Sequence, residues 1–181
     1  MTAHPNDVIG FWRNAGPEKW FKKIPAFDEA IRLKFEPVHH AAARGEYDAW
    51  AQDSETALAL LILLDQFPRN LYRNSGHAFA TDSKARSIAR AAIEAGFDRI
   101  VDPAFRNFFY LPFEHSEDIA DQDYGLALVA ENGVEDDLKW ATIHREIIAR
   151  FGRFPHRNPM LGRVTTDAEQ AFLDDGGFAG S

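Results

Sequence analysis

The amino-acid sequence predicts an all-α fold: a single domain over residues 1–181, built of stacked antiparallel helical hairpins. Three observations carry this expectation. Apolar residues recur at helical spacing in segment after segment, and no run alternates long enough for a strand. Short breaks rich in glycine, proline and capping residues separate those segments. One stretch, Ala57 to Leu64, is apolar at every position, the mark of a helix buried on all sides.

That buried stretch runs directly into Asp65, Gln66, Arg69, Asn70 and Arg73. Asp65 lies one turn beyond Leu61 and two beyond Leu58, so it starts on a face already inside the core. A buried carboxylate must be paired, and Arg69 and Arg73 are the nearest candidates. Ser54 is expected to cap this helix, and Pro68 to end or bend it.

The elements before it follow from the same signals. Asn6 is expected to cap a short helix carrying Val8, Ile9, Phe11 and Trp12, broken at Gly16 and Pro17. Trp20 and Phe21 anchor the connecting turn. Pro25 suits the first position of a helix with Phe27, Ala30, Ile31 and Phe35 facing inward. Pro37 should kink or end it, with His39 to Ala43 able to continue beyond and Gly45 closing the segment.

After the central helix, Thr81 or Asp82 caps a helix from Ser83 to Ala95, with Ala85, Ile88, Ala89, Ala92 and Ile93 inward and Gly96 as its terminal glycine. Asp102 and Pro103 open an aromatic helix through Phe105, Phe108, Phe109 and Tyr110, interrupted by Pro112. Ser116 is expected to cap the next helix, whose acids Glu117, Asp118 and Asp121 meet the positive end of its dipole; Gly133 ends it. Asp136 or Asp137 starts a long helix to Phe151, with Trp140, Ile143, Ile147 and Phe151 as its inward stripe and His144 pointing into that stripe. Thr166 and Glu169 form a capping box for a last helix. Residues 174–181 are small and polar and are expected to fray.

Composition bounds the function classes. The chain has 181 residues, 45% hydrophobic and 27% charged, within the range of soluble globular domains. Its net charge of -8 argues against general binding of nucleic acid or anionic membrane. With no cysteine there is no disulfide framework and no thiolate chemistry. The N-terminal residues lack a basic and apolar leader, and the longest apolar run is far too short to span a bilayer, so a cytoplasmic protein is expected.

Three segments concentrate polar groups: Asp65 to Arg73, Glu114 to Asp118, and His144 to Asn158. Residues 144–163 hold five arginines against the single acid Glu146, in an otherwise acidic chain. Such a cluster is the footprint of a carboxylate or phosphate ligand, because guanidinium forks pair with both. His115 and His144 can supply acid–base chemistry, with Glu114 or Asp118 orienting the base. The structural alternative, that the acidic segment simply pairs with the basic ones, weighs more heavily. His144 on an apolar stripe is more often a hydrogen-bonded core histidine than a ligand. No histidine spacing is diagnostic of a metal site, and no phosphate loop, dinucleotide fingerprint or nucleophile elbow occurs, so neither metal nor cofactor is expected.

Three motifs carry a family resemblance: LeuLeuAspGlnPheProArgAsnLeuTyrArg at 63–73, ProPheGluHisSerGluAsp at 112–118, and HisArgGluIleIleAlaArgPheGlyArgPheProHisArgAsn at 144–158. With them the chain resembles, over nearly its whole length, the uncharacterised bacterial family called domain of unknown function 924. The resemblance implies an all-helical, tetratricopeptide-repeat-like stack and no established activity. Its motif positions fall on Asp65, Gln66, Arg69, Asn70, Arg73, Glu114, His115, Glu117, Asp118, His144, Arg153, His156, Arg157 and Asn158. The resulting expectation is a helical binding or interaction protein with a polar groove. The alternatives are a binder or enzyme for a small anionic ligand held by Arg69, Arg153 and Arg157, or a purely structural polar cluster.

Overall fold

The computed structural model describes residues 3–178 and Gly180. Among these, every regular element is helical, as the sequence predicts. They divide into two compact units. The first comprises Met1–Arg73 and His77–Pro112; the second comprises Asn74–Gly76 and Phe113–Ser181.

The first unit contains α1 (Pro5–Ala15), α2 (Pro17–Trp20), α3 (Pro25–Ala43), α4 (Ser54–Leu61), α5 (Phe67–Leu71) and α6 (Asp82–Glu94). Its centre is α4, and every residue from Ala57 to Leu64 is essentially sealed from solvent. Two caps fall one or two residues earlier than expected, while Thr81 and Asp102 cap as expected. Asp53 rather than Ser54 caps α4, because its carboxylate accepts from the N–H groups of Glu55 (3.1 Å) and Thr56 (3.4 Å). His4 rather than Asn6 caps α1, where Pro5 in the first turn needs no partner for an N–H. Pro37 does not end α3, which runs unbroken to Ala43. The proline sits on an exposed stretch of the helix, where the carbonyl it leaves unpaired meets water.

Pro68 acts differently. Ile62–Gln66 widens into one π-turn before α5, and the N–H of Phe67 reaches back to the Ile62 carbonyl. A π-turn with a proline beyond it strands several carbonyls inside the core, and each finds a side chain. The Leu63 carbonyl accepts from His39 Nδ1 at 2.8 Å, that of Leu64 from the Thr81 hydroxyl at 2.5 Å, and that of Asp65 from Arg69 at 2.5 Å. Burial holds the His39 imidazole below its ordinary pKa, so it serves as a neutral donor. Trp12 packs edge to face on Phe67 and Phe108, Trp20 edge to face on Phe108, and the Trp20 indole, stacked on that of Trp12, donates to the Trp12 carbonyl at 2.7 Å. The expected aromatic helix is instead a tighter 3-10 segment, Pro103–Phe109, capped by Asp102.

The chain crosses into the second unit through α7 (Leu111–Glu114). There α8 (Ile119–Asn132) and α9 (Glu135–Phe151) form a hairpin, and α10 (Asp167–Asp174) follows. Asp118 rather than Ser116 caps α8, accepting from the Ala120 N–H at 2.8 Å. Ser116 lies two residues outside; its hydroxyl accepts from the Asp118 N–H and donates to the Asp121 carboxylate. On α9 the buried face is Ala141, His144, Ile147 and Ile148. Trp140, expected to point inward, is 47% exposed. The small Ala141 takes the place against the core that ring size alone would assign to the tryptophan.

Candidate functional site

The polar residues of the 65–73 segment lie in the first unit, and internal acids engage them. Asp65 is 1% exposed; Gln66 donates to it at 2.6 Å, and Arg69 stands 3.5 Å away. The Arg69 fork closes on both oxygens of Asp82 at 3.1 Å each. Although burial opposes it, the charges of Asp82 and Asp65 raise the Arg69 pKa above its ordinary value. Arg73 grips Asp28 at 2.6 and 3.1 Å, and Asn70 donates to the same carboxylate at 2.8 Å. The sequence reading missed Asp28 as a partner, and it took Asp82 for a cap. Each looks like a first-turn acid placed for the helix dipole, and only the fold brings it to an arginine.

The other two segments meet in the second unit. Arg153 pairs with Glu169 at 2.6 and 2.9 Å and donates to the Val164 carbonyl at 2.9 Å. Beside Arg153, the Glu169 carboxyl falls to about 2. Glu169 also closes the predicted capping box with Thr166, and Asn158, fully buried, donates to it at 3.3 Å. Glu117 takes the Arg163 fork at 2.9 and 2.7 Å and the Phe154 N–H at 2.9 Å. Burial pushes its pKa up, but these donors win and hold it below the usual range. Arg157 donates to the His115 carbonyl at 3.0 Å and lies 4.5 Å over the Phe154 ring. Asp118, a candidate for orienting a base, is occupied as the cap of α8.

What remains is a buried pair. Glu114 ends α7 and is 2% exposed; its Oε2 stands 3.3 Å from Nδ1 of His144, itself 8% exposed on α9. The other oxygen, Oε1, is buried with no hydrogen-bond partner among the described residues. Leaving such an oxygen unsatisfied costs on the order of 1–3 kcal/mol. Asp137 lies seven residues, about two turns, before His144 on α9, and burial first, then the Glu114 charge, raise its pKa. The ring of His115 stands 6.5 Å from that of His144.

Two residues the sequence reading did not single out hold Glu114 in place. The Gln122 amide, buried on α8, donates to the carbonyls of Phe113, Glu114 and Ser116 at 3.3, 2.7 and 2.7 Å. Gly125 lets α8 approach so closely that a Cβ there would stand 2.9 Å from Phe113 Cβ. A glycine in mid-helix was the available signal for that approach.

Chemically, a carboxylate accepting from Nδ1–H leaves the imidazole Nε2 able to take a proton. Among the described residues, no three histidines or acids are placed to hold a metal ion. No helix among them is long and apolar enough to cross a membrane.

Comparison with known proteins places these features in a family. The chain is 48% identical to a protein of unknown function from Agrobacterium tumefaciens whose structure is solved, with a TM-score of 0.92 over 95% of this chain and 97% of that one. It matches no curated protein. The family model described as bacterial protein of unknown function (DUF924) matches residues 8–177, and the chain belongs to that family.

Proposed function

We propose that the protein binds, and transfers a proton with, a small molecule that presents an N–H or O–H donor to Glu114. The observation that supports this is the Glu114–His144 pair, a buried carboxylate with one oxygen on an imidazole and the other unspent. Buried polar atoms are ordinarily matched, so an unmatched one in a family motif points to a ligand. In this reading Glu114 orients the imidazole and receives the ligand's donor, and His144 exchanges the proton at Nε2.

The expected anionic ligand has less support. It asked for Arg69, Arg153 and Arg157; the first two grip Asp82 and Glu169, and Arg157 donates to the His115 carbonyl. The Glu114 charge also reaches Asp137, raising its pKa after burial does, and this negative surrounding favours a donor or a cation. A tetratricopeptide-like stack as the scaffold, of which the α8–α9 hairpin is one element, and a cytoplasmic setting belong to the same reading.

The interaction-protein reading has one observation in its favour: Val134, Leu138 and Trp140 are exposed along the first turns of α9. A thermal-shift screen separates the two. Amines, amidines and alcohols are tested beside carboxylates and phosphates, in the native protein and in Glu114→Gln. A donor ligand should raise Tm saturably in the native protein only; at one hundred times Kd the stabilisation is about 2.7 kcal/mol. A screen that is flat for donors, or a response unchanged in Glu114→Gln, overturns the proposal.

A further inference from the structure

The C-terminal segment leads back onto the candidate pair. After α10, Gly176 adopts φ +79°, its N–H returns to the Leu173 carbonyl, and the Gly177 N–H returns to that of Phe172. This is a Schellman turn, and it reverses the chain. Position 177 has no room for a side chain, since a Cβ there would lie 2.5 Å from the Phe172 carbonyl oxygen. The glycine pair therefore delivers Phe178 to one place. Its ring stands 4.6 Å from that of His144 at 89°, 5.3 Å from His156 at 85°, and 6.1 Å from Trp140. Gly180 then rides over His156, where a Cβ would be 3.0 Å from the imidazole.

We infer that the seat formed by Trp140, His144 and His156 is an aromatic subsite of the Glu114–His144 site, and that Phe178 is its resident, displaceable occupant. The inference rests on the proposed function and names its ligand class: an aromatic ring carrying an N–H donor, such as an aryl amidine or arylamine. The ring replaces Phe178 edge-on against the imidazoles, a favoured aromatic geometry, and the donor reaches the unspent oxygen of Glu114. Phe178 is only half-buried, and the two residues before it are glycines; lifting it off uncovers the Ile147, Ile148 and Phe154 cluster it packs against, which the ligand's ring covers in its place.

Benzamidine is the probe, with acetamidine as the ringless control and benzoate as the control lacking the donor. Binding is followed through the His144 and Trp140 ring resonances in the native protein, in Phe178→Ala, and in Phe178→Ala combined with Glu114→Gln. The plug predicts that benzamidine binds Phe178→Ala at least about tenfold tighter than the native protein, that acetamidine and benzoate gain nothing, and that the double variant loses the gain. Equal benzamidine affinity in the native protein and Phe178→Ala overturns the plug, whatever Glu114 does. Equal gains for benzamidine and acetamidine, both lost in the double variant, overturn the aromatic subsite and leave the proposed function standing. A benzamidine gain that survives Glu114→Gln keeps the ring seat and overturns Glu114 as its donor partner. Should Phe178→Ala fail to fold, Phe178→Leu retains apolar packing without the ring, and the same comparisons decide.

Discussion

Replacing Arg69 by alanine removes a cation that pairs with two buried acids. Asp65 is 1% exposed and Asp82 is 8% exposed, and both point at the guanidinium. The Asp65 carbonyl loses its donor as well. Breaking a buried pair by removing one partner costs about 3–5 kcal/mol, because the remaining charge loses the interaction that offset its burial. The loss at neutral pH should therefore reach at least ~3 kcal/mol, read as a fall in the urea midpoint at unchanged m-value. Adding Asp82→Asn to Arg69→Ala should recover part of it, giving a coupling of about 1–3 kcal/mol. A loss below ~1 kcal/mol, the range of an exposed pair, would refute the assignment of Arg69 as a core clamp.

Other substitutions test other parts of the structure. Glu169 titrates near 2 when folded against 4.5 as its ordinary value, so its stabilisation is present above about pH 4.5 and is lost as the pH falls toward 2. Acid unfolding of Glu169→Gln, followed by circular dichroism, should be shallower across that window. Gly125→Ala should cost roughly 1–2 kcal/mol despite its better helix propensity, because the new Cβ meets Phe113 Cβ at 2.9 Å. Gly10→Ala, on α1 with nothing within 4 Å, should instead stabilise by about 0.5–1 kcal/mol, so thermal melts of the two variants should move in opposite directions. Glu114→Gln should leave stability within about 1 kcal/mol of native or above it, the signature of a residue kept for function; a loss above ~3 kcal/mol would make it a structural anchor.

The burial of Asp65 was legible because its place one and two turns beyond Leu61 and Leu58 is a local property of the helix. The identity of its partner was not. Asp82 and Asp28 come from other helices, and nothing in a first-turn acid distinguishes a clamp from a dipole-facing charge. The buried position of His144 was legible from the same periodicity, whereas the spacing that put Trp140 on the inward stripe left out Ala141, which takes the buried position instead. Pro68 announced a break in the central helix. Only the fold could show that the break is a π-turn, with His39, Thr81 and Arg69 satisfying the freed carbonyls. Glu114 of the 112–118 motif was visible in sequence, but its placement depends on Gln122 and Gly125, which hold the backbone beneath it.

The most direct measurement is the tautomer of His144, from imidazole nitrogen shifts by NMR across a pH titration of the native protein and Glu114→Gln. The pairing predicts a proton on Nδ1, facing Glu114, with Nε2 bare in the neutral form, and loss of that preference in Glu114→Gln. A proton resident on Nε2 in the native protein, or a tautomer indifferent to Glu114→Gln, would contradict the assignment of Glu114 and His144 as an oriented acid–base pair.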